Sequence, residues 1–283
     1  MTRLAEIQAR IGAMDDLRDV VGAMRSLAGI RMLEAQRALS GVRCHADAIA
    51  GAIADTLPLL PEPERRRTDA EARRILVLCM AEHGFVGGFN ERLIEEIERD
   101  ARADDMLFVL GSRGAASLLE RGRRLAWTHP MATRGRAAAA AVQPLSAELY
   151  RRIGRGHAGR VEALYFRSAP SGGATLRRRL ILPFDAAALE RRPSGQAPLH
   201  NLPPAALHER LVAEYIFALL IEAAVESIAS ENAARFNAME SAHGNVSRKL
   251  DGLRQEARQA RQSEITTEIL ELATAETALG ARR

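Results

Sequence analysis

The chain has 283 residues, 47% hydrophobic and 27% charged, with a net charge of +4. These values suit a folded protein of about two structural units and exclude a low-complexity or disordered chain. They also supply no apolar run long enough to span a bilayer and no strongly basic surplus that would mark a nucleic-acid binder. Aromatic residues make up only 4%, so close helix packing is expected in place of a thick aromatic core. The positive charge is almost all arginine, Lys249 being the one lysine. Arginine stays charged at any working pH and grips carboxylates bidentately. Cys44 and Cys79 are expected as free thiols in a reducing compartment. The opening MTRLAEIQARIGAMDD is charged throughout and lacks a signal-peptide core, so the chain is expected to stay in the cytosol or to dock onto a membrane-bound partner.

Residues 3–57 carry apolar side chains at three-and-four spacing, including Leu4, Ile7, Ile11, Met14, Val21, Met24, Ala28, Ala35, Leu39, Ile49 and Ile53. This predicts one long amphipathic helix, capped by Thr2, in a first segment spanning 1–60. A repeat near 3.5 residues implies a left-handed coiled-coil seam. Gly12, Gly22 and Gly29 interrupt the helix. They reflect either a close backbone approach or drift in a well-supported helix. Pro58, Pro61 and Pro63 end the helix, and 61–74 reads as a charged linker.

A second segment, 73–184, has a different rhythm. Short apolar runs at 75–80, 106–111, 125–129, 161–168 and 175–184 read as strands. Helices are predicted at 88–102, 113–121 and 143–155, with 130–142 as a loop and a hairpin turn at Pro170-Ser171-Gly172-Gly173. Strands alternating with helices predict an open, Rossmann-like α/β sheet, mostly parallel, with an antiparallel last pair. Residues 185–203, rich in proline, read as a linker.

From Pro203-Pro204 onward no proline occurs, and Ala, Leu, Glu, Arg and Gln dominate. The third segment, 204–283, is therefore predicted as one helix, on the order of 110 Å long if unbroken. Its apolar stripe slips in phase near 230–238, where a bend or a change of partner is expected. Each end helix lacks a neighbour to cover its stripe, so an antiparallel coiled coil of the two is the economical arrangement, with pairing in another subunit as the alternative. The predicted fold class is α/β: a long antiparallel coiled coil of the N- and C-terminal helices plus an open α/β domain.

Several residues invite a chemical reading. Gly84-Phe85-Val86-Gly87-Gly88 follows a strand and opens a helix, where a dinucleotide fold holds phosphate, but the spacing is not GxGxxG. A tight turn fits better. Cys79, Glu82 and His83 are too close in sequence for a nucleophilic triad, whose members converge from distant segments. The histidines show no ligand spacing. No catalytic residue, cofactor or metal is expected. Arg254, Arg258 and Arg261 form a ridge at three-and-four spacing, either a contact surface or a solvated face paired with Glu256 and Glu264. Asn232 and Arg235 either bond across the coiled coil or face solvent.

Four stretches resemble the γ subunit of F-type ATP synthase. Ser230–Met239, SENAARFNAM, looks like its SENAARxxAM segment. Arg261–Ile269, RQSEITTEI, resembles RQxxITxEI. VVGAMRSLAGIRM, with Ala23 and Met24, is similar to ITKAMEMVAASKM, and Glu82–Asn90 to SDRGLCGGLN. Order and separation agree across nearly the whole chain. Leu17, Gly22, Arg31 and Ala275-Glu276 depart from the usual residues and mark a divergent member. The resemblance implies a non-catalytic central-stalk rotor. Its partners would be the F1 α and β subunits, the ε subunit and the membrane c-ring, with no nucleic acid. It would lie at the cytoplasmic face of the bacterial inner membrane, held there through those partners. It further implies subunit contacts by Met24, Arg31, Arg254, Arg258, Arg261, Gln262, Thr266 and Glu268. The competing readings are an α/β enzyme with a helical dimerisation arm and a basic coiled-coil nucleic-acid binder.

Overall fold

The computed structural model describes residues 3–60, 73–168, 173–184 and 198–280, with side chains up to 272. The expected Thr2 cap, the linker over 61–72, the turn at Pro170-Ser171-Gly172 and the linker residues 185–197 lie outside the described residues. The elements in order are α1 (Arg3–Thr56), β1 (Arg74–Cys79), α2 (Phe89–Asp100), β2 (Met106–Leu110), α3 (Ser112–Glu120), β3 (Leu125–His129), α4 (Ala138–Gly154), β4 (Arg160–Ser168), β5 (Ala174–Leu182) and α5 (Pro204–Gly280). Pro204 stands at the first helical position of α5, where its missing N–H costs nothing. Among the described residues no helix is long and apolar enough to cross a membrane.

The strand order is β3-β2-β1-β4-β5. β1, β2, β3 and β4 pair in parallel and β5 returns antiparallel to β4, as the sequence predicts. β1 is buried along its whole length because both faces of the sheet are covered, and this is why ILVLC reads as a continuous apolar run. Ile75, Val77 and Cys79 point to the face packed by α1, α4 and α5. Leu76 and Leu78 point to the face packed by α2 and α3.

The chain packs as two compact units, one of Ala28–Arg235 and the other of Met1–Leu27 with Phe236–Arg283. Both long helices contribute to both. In the larger unit, the body, α1 from Ala28 on and α5 up to Arg235 run antiparallel. Arg43 bonds Glu222 at 3.0 Å and pairs with Glu226, which Arg167 of β4 also approaches at 3.4 Å. In the smaller unit, the arm, the same two helices are antiparallel again, with Arg25 on Glu240 at 2.8 Å and Arg254 on Asp15 at 3.1 Å. Along α5 the division between the two units falls after Arg235, and the helix keeps α1 as its partner on both sides of it.

One expectation is corrected. The sequence predicts a loop up to 142 and a helix from 143, whereas α4 begins at Ala138. The alanine run 137–141 has the highest helix propensity, and Ala138, Ala141, Val142 and Leu145 bury one face against the sheet. That burial carries Pro144 inside the helix, where it removes one backbone bond. A close approach does not explain Gly12 or Gly22 of α1. A Cβ at Gly12 would meet nothing within 4 Å, and one at Gly22 would meet only His243 at 3.8 Å. The close approach to α1 comes from Gly135, where a Cβ would sit 2.9 Å from the Cα of Ala35. Ala35 has no exposed surface.

One buried charge network lies at the start of β1. The Arg74 guanidinium bonds Asp105 at 3.1 and 2.6 Å and Asp100 at 3.1 Å, with Glu162 at 3.5 Å. These acids hold its pKa above the usual arginine value, the bond to Asp105 foremost. The network fastens the entry of the central strand to β4 and to the turn before β2.

Candidate functional site

In an open sheet of this kind a ligand would sit outside the carboxyl ends of the strands, where the strand order reverses. Here the reversal lies between β1, which leads to β2, and its other neighbour β4. Helix α5 fills that place. The Ser227 hydroxyl donates to the carbonyl of Cys79 at 2.7 Å, and the Ser230 hydroxyl to the carbonyl of Phe166 at 3.0 Å. Both serines are buried. One residue of the helix thus plugs the end of β1 and another, three residues on, the end of β4.

The loop after β1 is tied to the same stretch of helix. Arg235 donates to the carbonyls of Gly84 at 3.2 Å and His83 at 3.3 Å, and to Glu231 at 2.6 Å and Asn232 at 3.2 Å. The backbone N–H of Glu82 donates to Glu231 at 3.4 Å. The Glu82 carboxylate accepts from the Ser112 backbone at 2.9 Å and hydroxyl at 2.8 Å, and from the Met131 backbone at 2.7 Å. It therefore receives the start of α3 and the segment after β3. Phe85 and Gly87 take positive φ angles of 61° and 56°. The glycine-rich stretch is thus a tight turn, with the carbonyls of His83 and Gly84 held by Arg235 of the helix. Asn232 and Arg235 neither bridge the coiled coil nor face solvent. Both are buried, Arg235 on the β1–α2 loop and Asn232 bonded to Arg235 and to the Ile228 carbonyl of its own helix.

Cys79 is fully buried, and burial pushes its thiol up to about 12. A neutral thiol at neutral pH is no nucleophile, which sets aside the Cys79–Glu82–His83 grouping. Cys44 is exposed on α1. In the native chain a thiol reagent is expected to label Cys44 alone, with Cys79 reacting only in denaturant. Rapid labelling of both thiols without denaturant would contradict the burial of β1.

The structure separates the expected subunit-contact residues. Met24 is half-buried in the arm, whereas Arg31 is half-buried in the body, its Nε buried and without a hydrogen-bond acceptor among the described residues. Arg254 is exposed and reaches both oxygens of Asp15, at 3.1 and 3.2 Å. Exposed pairs of this kind contribute about 0–1 kcal/mol. Arg258, Arg261, Gln262, Thr266 and Glu268 share the exposed surface of α5. Arg258 and Arg261 have no ion-pair partner among the described residues, and neither Glu256 nor Glu264 pairs with them. Thr266 donates to the carbonyl of Gln262 at 2.8 Å. Among the described residues the last buried apolar side chain of α5 is Leu253, while Ile265, Ile269, Leu270 and Leu272 are 48–71% exposed. Apolar side chains and free arginines thus share the end of the arm.

The sequence had singled out Arg235 and Asn232 without placing them, and it missed Ser227 and the reciprocal role of Glu231. The signal was present: Glu226, Ser227, Ser230 and Glu231 interrupt a stretch of α5 that is otherwise apolar on every face. Such a stretch marks a helix buried all round, and polar groups inside it need partners.

The family described as ATP synthase matches residues 3–279. The ATP synthase gamma chain of Streptomyces coelicolor is 27% identical, over 98% of this chain and 96% of that protein. The gamma chain of Paracoccus denitrificans is also 27% identical, over 99% of this chain and all of its own length. Among solved structures, the rotor of the Euglena gracilis mitochondrial ATP synthase superposes with a TM-score of 0.63 at 13% identity, covering 93% of this chain and 98% of that one. With the sheet's ligand position filled by its own helix, and with relatives matched from end to end, the chain belongs to the ATP synthase family as a γ chain.

Proposed function

We propose that this protein is the central-stalk rotor of an F-type ATPase, passing torque between a membrane c-ring and a catalytic ring of α and β subunits. It makes and breaks no covalent bond. The observation that carries the reading is the end of the arm, where unpaired arginines and exposed apolar side chains share one helix. An isolated coiled coil would leave that surface uncovered at a cost. A surrounding ring of subunits covers it. Ring subunits of one kind meet an asymmetric shaft in different ways, and a contact shifts a conformational equilibrium only by such differences. The body would meet the ε subunit and the c-ring, and the complex would lie at the cytoplasmic face of the bacterial inner membrane, peripherally and through its partners.

The enzyme alternative needs a free crevice at the carboxyl ends of the strands, and Ser227 and Ser230 occupy it. Co-expression with the cognate α and β subunits tests the proposal. A stable assembly that hydrolyses ATP is expected. Folded α and β that never assemble with this chain would refute it.

Arg258, Arg261 and Gln262 are the arm residues we assign to contacts with the ring. Replacing Arg261 and Gln262 together by alanine is expected to weaken assembly by about tenfold, the scale of a single interface anchor. Circular dichroism should show unchanged helicity, because neither side chain holds the helix together. A loss of helicity would instead place their role within the chain.

A further inference from the structure

The amino ends of β1, β2, β3 and β4 form one edge of the sheet, because these strands are parallel. Arginines gather there. Arg73 precedes β1, Arg102 precedes β2, Arg123 and Arg124 precede β3, and Arg155 ends α4 just before β4. In the spatial order of the strands they form a row from β3 through β2 and β1 to β4. Four are exposed and Arg123 is half-buried. None of the five has an ion-pair partner among the described residues, although acids lie close by. Asp100 and Asp105 are taken up by Arg74, and Glu98 by Arg121 at 3.3 Å. Asp104 and Glu120 are the acids left over at this edge among the described residues.

The carbonyl ends of α2, α3 and α4 reach the same edge and favour cations there. That attraction is weak and falls off within a turn, and it leaves the guanidinium donors unsatisfied. Four loops carry the five charges, and four of the five side chains are exposed. Such an array suits many equivalent, mobile anions better than one shaped ligand. Guanidinium groups match the oxygens of phosphate in pairs, and clusters of four to eight basic residues are the usual scale of recognition for anionic lipid surfaces.

We propose that this arginine edge rides on the anionic phospholipid headgroups of the membrane. The proposal rests on the stalk reading in one respect: a turning subunit cannot keep a fixed stereospecific bond to a stationary neighbour. A fluid layer of headgroups accepts the edge at every angle. It holds the rotor's charge near the surface without stopping it.

The test is sedimentation of the full chain with vesicles of phosphatidylglycerol mixed with phosphatidylcholine, against vesicles of phosphatidylcholine alone. Binding to the anionic vesicles only is expected, falling as salt is raised. Each arginine near such a surface contributes about fivefold. The combined variant Arg73→Gln, Arg102→Gln, Arg124→Gln, Arg155→Gln is therefore expected to lose on the order of a hundredfold, after allowance for the neighbouring acids. A charge-matched variant elsewhere, Arg37→Gln, Arg113→Gln, Arg136→Gln, Arg210→Gln, should keep most of the binding. Equal binding by both variants would overturn the proposal, as would equal binding to both kinds of vesicle. Binding to an isolated c-ring without binding to anionic vesicles would overturn it in favour of a protein partner. Assembly with α and β, measured by size exclusion, is a separate readout. It should be unchanged in the edge variant, so failure of the lipid contact is distinguishable from failure of the stalk reading.

Discussion

Replacing Arg235 by methionine is expected to destabilise the full chain by about 3–5 kcal/mol, read as a shift in the denaturant midpoint. That is the scale of removing one member of a buried ion pair. The Arg235 and Glu231 side chains are 8% and 5% exposed. Without the guanidinium, the Glu231 carboxylate is left buried with only the Glu82 N–H, a long contact at 3.4 Å. The carbonyls of His83 and Gly84 lose their donor as well. The double variant Glu231→Gln with Arg235→Met should recover part of the loss, because it removes the uncompensated charge. Glu231→Gln alone should cost less, about 1–3 kcal/mol, since Arg235 keeps Asn232 and both loop carbonyls. A loss under 1 kcal/mol for Arg235→Met would mean that the loop is not held by this helix.

The other large effect is expected at Gly111, which joins β2 to α3. Its φ is +119°, and a Cβ there would lie 2.4 Å from the carbonyl oxygen of Met80 and 2.9 Å from that of Ala81. Backbone strain of about 1–3 kcal/mol would combine with a clash against main chain, which cannot rotate away as a side chain can. Gly111→Ala is expected to cost about 3–5 kcal/mol in all, taking overpacking at its usual 1–3 kcal/mol. Gly122→Ala is the control. Its φ is also positive, +72°, but a Cβ meets nothing within 4 Å, so about 1–2 kcal/mol is expected. Equal losses at the two positions in thermal unfolding would show that φ alone matters and that the approach of Met80 does not.

Much of this fold is legible in the residues. The stripe from Ile7 to Ile53 is buried or half-buried, as three-and-four spacing requires. The runs ILVLC and LFVL are strands buried on both faces, as continuous apolar runs between turn residues imply. The helix start at Ala138 was hidden by Pro144, which outweighs five alanines in any local reading. Only the buried face of α4, a tertiary fact, shows that the proline is tolerated. The burial of this part of α5 was legible, but the partners of its polar residues were not. Ser227, Ser230 and Glu231 are polar, and local pattern assigns polar residues to solvent. Their partners are main-chain carbonyls and N–H groups of β1, β4 and the β1–α2 loop, up to 149 residues away. No spacing rule reaches so far. The surface residues of the arm are the reverse case. The motif singled them out, and geometry adds that Arg258 and Arg261 have no ion-pair partner among the described residues.

The two serines and the arginine on α5 have a mechanical meaning. A lone helix resists stretching by its axial hydrogen bonds, but nothing in its own cylinder opposes spinning about its axis. Bonds made off the axis do. Ser227 and Ser230 engage two different strands and Arg235 engages a loop, all within two to three turns. Together they act as a spline, with teeth that stop both slip along the helix and rotation about it. A twisting load on α5 is then shared by the ends of β1 and β4, and through them by the rest of the five-stranded sheet. The sheet, whose strands yield little, sets the torsional stiffness of the helix that runs through its edge.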